Sequence, residues 1–238
     1  MQKVPKEFFP EFRKKPIRSY VVRSGRMTDA QLRALEQSGD DYRLRLSDGR
    51  VEWEAVFGRR APVVLEIGFG MGDSLLQMAA EEPDKDFVGI EVHPPGAGAL
   101  VNGAVIQGLR NVRLYLADAV DVIDECLPDN SFARIQIYFP DPWHKRKHLK
   151  RRIVQTELVE KLRLKLEKGG LLHLATDWEP YAEHMARVMA EQQDFENLAS
   201  EGSYSPRPVF RPETKFERRG ERLGHRVNDL LYRRLSEQ

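Results

Sequence analysis

The run VVLEIGFGMGDS, residues 63–74, decides the fold. VVLEI (63–67) is short, apolar and rich in β-branched residues, as a strand buried on both faces would be. The glycines after it let the backbone turn tightly and approach a ligand closely. Ser74 to Glu82 then takes up helical spacing behind an Asp-Ser cap. The same alternation continues downstream. FVGIEV (87–92), VRLYLA (112–117), RIQIYF (134–139) and LLHLAT (171–176) read as further strands. Ala97 to Gln107 and Arg151 to Leu166 read as helices, the second ending on Lys168-Gly169-Gly170 as a C-cap. Strands alternating with helices imply a mostly parallel, doubly wound α/β sheet covered on both faces.

Upstream the pattern changes. Residues 1–20 mix Pro, Lys, Arg and Phe without a period, and Thr28 to Gln37 suits one short helix, so residues 1–58 read as a basic, partly flexible extension. Residues 59–238 form the α/β domain, whose tail is marked as an extended surface segment by Pro206, Pro208 and Pro212.

The chain has 238 residues, 41% of them apolar and 32% charged, with mean hydropathy −0.55. No run approaches a bilayer span, and the N-terminus lacks the apolar core of a secretory signal. Cys126 is the single cysteine, which excludes an internal disulfide and a cysteine zinc cluster and fits a cytoplasmic protein. The formal net charge of +1 conceals blocks: residues 1–60 carry +5, 61–143 carry −9, 144–206 carry +1 and 207–238 carry +4. Basic segments flanking an acidic middle hint at nucleic-acid contact, although the first could equally be a solvated arm.

Each strand ends on a carboxylate: Glu66, Glu91, Asp118, Asp141 and Asp177. Open parallel sheets bind ligands beyond the carboxyl ends of their strands. One acid there is often a helix cap, as Asp177 before WEPY could be, but five call for a cationic or hydrogen-bond-donating ligand. In the loop Gly68-Phe69-Gly70-Met71-Gly72-Asp73, an acid stands where the dinucleotide fingerprint has its third glycine, so the helix start would repel a pyrophosphate. Glu91 could accept hydrogen bonds from both ribose hydroxyls, and Asp118 from an adenine amino group. A cationic, phosphate-free adenosine compound matches this set: S-adenosylmethionine.

LEIGFGMG, GIEVH, ADA, YFPDPWHKRKHLKRR, ATDWEPYAEHM and RPETKFERRGERLGH together resemble the bacterial tRNA (guanine-N7-)-methyltransferase family over about residues 50–235. The resemblance implies a Rossmann-like class I methyltransferase acting on a guanine of the tRNA variable loop, position 46 in tRNA numbering. It assigns the methyl donor to Glu66, Gly68, Gly70, Glu91, Asp118 and Asp141, and catalysis to Asp141. Lys145, Asp177 and the block Thr214, Lys215, Phe216, Glu217 would meet the guanosine, the block as a strap closing over the site. Lys147, His148, Leu149, Lys150, Arg151 and Arg152 would touch RNA. Pro94-Pro95 puts two prolines where the family has one.

Guanine N7 has a lone pair and no proton to lose, so the reaction needs no general base and depends on positioning and electrostatics. Asp141 has the chemistry to accept from guanine N1–H and N2–H₂ and to stabilise the developing cation. Six cations within Lys145–Arg152 would steer phosphates. Trp143 could stack on the base or fill the core. His144 and His148, four apart, lack a third metal ligand, so no metal is expected. His173 reads as a hydrogen-bonded core residue. No apolar stripe suggests a protein partner, so a monomer is expected. A nicotinamide-dependent dehydrogenase and a passive RNA-binding protein are the competing classes.

Overall fold

The computed structural model describes residues 2–9, 17–21, 26–200, 202–213, 217 and 226–236. The chain divides into two compact units. Unit 1 holds Met1–Lys14 and Val21–Pro128, and unit 2 holds Lys15–Tyr20 and Asp129–Gln238.

In unit 1, β1 (Gln2–Lys3) pairs antiparallel with β2 (Arg26–Met27). They are followed by α1 (Asp29–Tyr42), β3 (Arg43–Leu44) and α2 (Trp53–Phe57). Then come β4 (Val63–Ile67), α3 (Asp73–Glu81), β5 (Asp86–Glu91), α4 (Pro94–Gln107), β6 (Val112–Leu116) and α5 (Ala119–Glu125). The strand order is β3-β6-β5-β4, with every pair parallel. All five residues of β4 are buried, as a strand covered on both faces must be.

Several of the described residues before residue 59 are packed. Val4 and Phe8 are buried, and the Arg43 guanidinium stands 5.8 Å from the Phe8 ring. Thr28 closes a capping box on α1: its hydroxyl accepts from Gln31 N–H, and the Gln31 side chain accepts from Thr28 N–H. The helix runs on past Gly39 to Tyr42, because Leu32, Leu35 and Gly39 share its buried face. Helix α1 packs on α4, and Gly98 makes this possible: a Cβ there would lie 2.8 Å from the Gln31 carbonyl oxygen. The two prolines occupy the first turn of α4, where no intrahelical N–H bond is lost.

Unit 2 contains β7 (Phe132–Tyr138), a 3₁₀ helix over Arg146–Arg151, α6 (Thr156–Lys165), β8 (Leu166–Thr176), α7 (Glu179–Ala190), β9 (Phe195–Asn197) and β10 (Asn228–Arg234). The order is β7-β8-β10-β9, parallel across β7 and β8 and antiparallel beyond. Three sequence expectations change here. Helix α6 starts five residues later than its apolar spacing indicates, because Arg146–Arg151 forms the tighter helix. The Lys168-Gly169-Gly170 stretch is not a helix cap. Leu166 already pairs with Phe132, and the register moves so that Leu171 pairs with Arg134. The glycines form the bulge: Gly169 has φ +80°, and a Cβ on Gly170 would meet the Phe132 carbonyl at 3.0 Å. The proline-marked tail is also not purely surface: Ser205 bridges to Asp229, and Arg211 and Pro212 are buried.

Candidate active site

In unit 1 the carboxylates sit on neighbouring parallel strands. Glu66 pairs in register with Gly89, and Glu91 with Leu116, two residues before Asp118. Glu66 and Asp118 are 2% and 5% exposed, far below what carboxylates usually show. Asp118 caps α5 by accepting from Val120 N–H at 2.9 Å. Glu91 is held from two sides. One oxygen accepts from Val92 and His93 N–H (2.7 and 3.1 Å), the other from Gly70 N–H at 2.8 Å. The carboxylate closing the second strand therefore fixes the glycine loop that follows the first.

That loop leaves its backbone approachable. Gly68 and Gly70 have φ +79° and +59°, and a Cβ on either would meet nothing within 4 Å. The opposite holds beneath the loop, where a Cβ on Gly96 would stand 2.0 Å from the Gly70 carbonyl oxygen. Gly72, rather than an Asp-Ser cap, stands at the N-terminus of α3, and Asp73 occupies the first turn. A negative charge there disfavours a phosphate. The floor is thus bare glycine backbone, bordered by carboxylates and hostile to pyrophosphate. Such a donor set fits an adenosine compound with a positive centre and no phosphate.

In unit 2, Asp141 and Asp177 follow two adjacent parallel strands, tied by Phe139 N–H to the Ala175 carbonyl at 2.8 Å. Asp141 is exposed between Pro140 and Pro142. Phe139 and Trp143, either side of it, adopt left-handed φ of +48° and +46°. Non-glycine residues in this region carry strain, which concentrates where a side chain must be presented in one direction. Asp177 and Lys145 are likewise exposed.

The basic run is not uniform. Lys147 and Lys150 are exposed, with His148 and Leu149 half-buried between them. Burial and the cations Lys147, Arg151, Lys145 and Lys150 hold the His148 imidazole below its ordinary value. Arg151 turns back on the chain, donating to the Arg18 and Tyr20 carbonyls at 2.8 Å each and lying 3.8 Å over the Trp143 ring. Trp143 donates to the Ser19 carbonyl at 3.0 Å, which gives it a packing role. Arg152 is 5% exposed, 4.6 Å over the Tyr181 ring and bonded to the Pro142 and Pro180 carbonyls. A guanidinium so enclosed braces the loop and has no face for a phosphate.

Thr214, Lys215 and Phe216 lie outside the described residues. Glu217 is described, and it is buried in a two-pronged pair with Arg211 rather than displayed on a surface. Arg211 also bonds Asp229, whose other oxygen lies 2.7 Å from His173 Nε2. The Tyr138 hydroxyl faces His173 Nδ1 at 2.9 Å, so His173 is the bonded core residue its position in LLHLAT implies. Burial lowers the His173 pKa, outweighing Asp229. Sequence reasoning missed Arg211 and Asp229, which are 18 residues apart and share no motif. It also missed Gly96, for which the PPGAG run was a usable signal.

A family model described as "Putative methyltransferase" matches residues 60–230. A tRNA (guanine-N(7)-)-methyltransferase of Saccharophagus degradans is 57% identical over 94% of this chain and 98% of its own length. One of the same name from Pseudomonas putida F1 is 57% identical over 92% of this chain and 91% of its own. Among solved structures, the 16S rRNA methyltransferase KamB superposes with a TM-score of 0.56 at 16% identity, covering 78% of this chain and 93% of that one. That likeness confirms the Rossmann-like fold alone.

Proposed function

The chain belongs to the tRNA (guanine-N7-)-methyltransferase family, and from that premise we propose how its residues divide the reaction. It transfers a methyl group from S-adenosylmethionine to N7 of a guanine in tRNA, forming 7-methylguanosine. The target we assign is guanine 46 of the variable loop. A tRNA substrate places the work in the cytoplasm, and a monomer is sufficient for it.

The observation that carries the assignment is the Gly70–Glu91 bond beneath an open glycine floor. Glu91, oriented by three backbone N–H groups, accepts from the ribose hydroxyls. Asp118 faces the adenine, and Glu66, Gly68 and Gly70 border the donor's remaining length. When bound, S-adenosylmethionine supplies an electrophilic methyl group on a positively charged sulfur.

The guanine side needs orientation more than proton transfer. N7 carries a lone pair in the plane of the base and no hydrogen, so the chain need not supply a general base. Asp141, presented by the strained turn between Phe139 and Trp143, accepts from guanine N1–H and N2–H₂. Its negative charge also stabilises the cationic purine as it forms, an electrostatic contribution of the kind that dominates many enzymatic accelerations. Lys145, Asp177 and the residues Thr214, Lys215 and Phe216 hold the nucleoside, while Glu217 anchors their segment on Arg211. Exposed Lys147 and Lys150 take phosphates, while Arg151 and Arg152 hold the loop that carries them.

Calorimetry tests the donor assignment against the dehydrogenase alternative. Micromolar binding of S-adenosylmethionine, with no heat from NADH, is expected. Binding of NADH in preference to S-adenosylmethionine would overturn it.

A further inference from the structure

The chain has three tryptophans, and two are half-buried. Trp53 stands against Phe57 with ring centroids 6.2 Å apart. Trp143 has Arg151 over its face and its indole N–H on the Ser19 carbonyl. Trp178 differs. It follows Asp177 directly, is 37% exposed, and lies in a stretch, 177–180, that is exposed throughout. Displaying so large an apolar ring forfeits hydrophobic free energy that burial would supply.

The display is rigid. Trp178 N–H donates to the Thr176 hydroxyl at 3.2 Å, and its carbonyl accepts from Tyr181 and Ala182 N–H (2.9 and 3.0 Å), opening α7. The ring meets that of His144 edge-on, with centroids 4.4 Å apart and planes at 85°. His144 is itself exposed and comes from the other strand end, three residues after Asp141. The pair thus spans the two loops that carry Asp141 and Asp177. Exposed Lys145, Arg146 and Lys147 follow His144 immediately. An exposed ring fixed at its base, buttressed by a second ring and bordered by cations, is the composition of a single-stranded nucleic-acid platform.

We propose that Trp178, braced by His144, is a stacking subsite for an unpaired base of the tRNA substrate. The proposal rests on the tRNA methyltransferase reading and adds to it a residue that lies within the ATDWEPYAEHM block without a role assigned from sequence. Any nucleobase presents a face to an indole, so the subsite adds affinity without sequence preference, while Asp141 selects the guanine. It also offers a mechanism for holding the target loop open: stacking on Trp178 replaces the stacking that the loosened tRNA loses.

The test compares wild type, Trp178→Ala and Trp178→Phe with unmodified tRNA. In Trp178→Ala, KM for tRNA rises roughly 5- to 150-fold, the range a lost base stack gives. The rise falls on KM rather than kcat, and S-adenosylmethionine binding by calorimetry is unchanged. Trp178→Phe, which keeps an aromatic face, recovers most of the affinity. Titration with tRNA quenches wild-type tryptophan fluorescence, and that quenching is largely lost in Trp178→Phe. A wild-type KM in Trp178→Ala, or equal quenching in Trp178→Phe, overturns the subsite while leaving the methyltransferase intact. If wild type forms no 7-methylguanosine, the underlying reading fails instead, and the quenching difference still decides whether Trp178 meets RNA.

Discussion

The guanidinium of Arg211 grips the carboxylate of Glu217 with both prongs, Nη1 to Oε2 at 2.6 Å and Nη2 to Oε1 at 2.7 Å, and both groups are buried. The same guanidinium reaches Asp229 on β10, its Nε 2.7 Å from Oδ1. The last residue of the Thr214–Glu217 block is therefore tied to the sheet through one arginine. Removing that arginine takes the nearest cation from two buried carboxylates, leaving Glu217 with Arg207 at 3.8 Å and Asp229 with His173, and breaking a buried pair from one side costs about 3–5 kcal/mol. Arg211→Ala should lower the urea midpoint accordingly. The double replacement Arg211→Met with Glu217→Gln should lose less, because one of the stranded charges is gone. Equal stabilities for wild type and Arg211→Ala would mean that the pair does not hold this segment.

Acid should weaken unit 2 in two steps. Burial holds His173 below its ordinary value of 6.5, so the folded protein resists a proton that the unfolded chain accepts. The stability this represents is complete above that value and is lost as pH falls through it. His184, also lowered by burial, adds to the same step. Burial pushes the Asp229 carboxyl up, but bonds from His173 and Arg211 outweigh it and hold it below 3.8, so its contribution disappears only at lower pH. Between about pH 7.5 and about pH 5.5 the wild-type urea midpoint should fall, and His173→Gln should fall less. Identical slopes would remove His173 from the account.

Two alanine replacements separate crowding from helix propensity. Gly96→Ala drives a Cβ to 2.0 Å from the Gly70 carbonyl oxygen, and that backbone has to move, taking the Gly70–Glu91 bond with it. Affinity for S-adenosylmethionine should fall by about tenfold or more, which a lost charge-assisted bond of ~1.5–3 kcal/mol would give. Gly39→Ala meets only Leu35, at 4.0 Å, inside α1. It should stabilise the protein by up to about 1 kcal/mol and leave donor binding alone. Calorimetry and thermal melts on both variants check the pair.

Much of this arrangement was legible in the sequence, and what was hidden has a common cause. The strands of the repeating α/β pattern stood out because each is a short apolar run buried on both faces, as β4 is throughout. The acids at their ends were readable because topology alone places strand ends. Strand β10 was not. It carries Asp229, Arg233 and Arg234 amid its apolar residues, and the partners of Asp229, His173 on β8 and Arg211, are distant in sequence. The glycines at 169 and 170 looked like a helix end because a bulge and a cap demand the same residue. In the basic run, charge was visible but direction was not. Only the carbonyls around Arg151 and Arg152 show that these two point inward.

That division predicts unequal salt effects along the run. Lys147→Ala and Lys150→Ala should each reduce the slope of log affinity for tRNA against log salt by about one, since each removes one phosphate contact. Arg152→Ala should instead lower thermal stability, because it takes away the bonds to Pro142 and Pro180. Filter binding across a salt series, with melting curves alongside, distinguishes the two behaviours. Equal slopes for all three variants would contradict the inward placement.

The central claim is that this chain methylates guanine N7 in tRNA with Asp141 orienting the base. Its most direct measurement is incubation of unmodified tRNA with methyl-labelled S-adenosylmethionine, followed by nucleoside analysis and mapping of the labelled position, for wild type and Asp141→Asn. Label is expected in 7-methylguanosine at position 46. Turnover should be about 10²–10³ lower in Asp141→Asn, as when a residue stabilising transition-state charge is removed. Label in any other nucleoside, or wild-type turnover in Asp141→Asn, would contradict the claim.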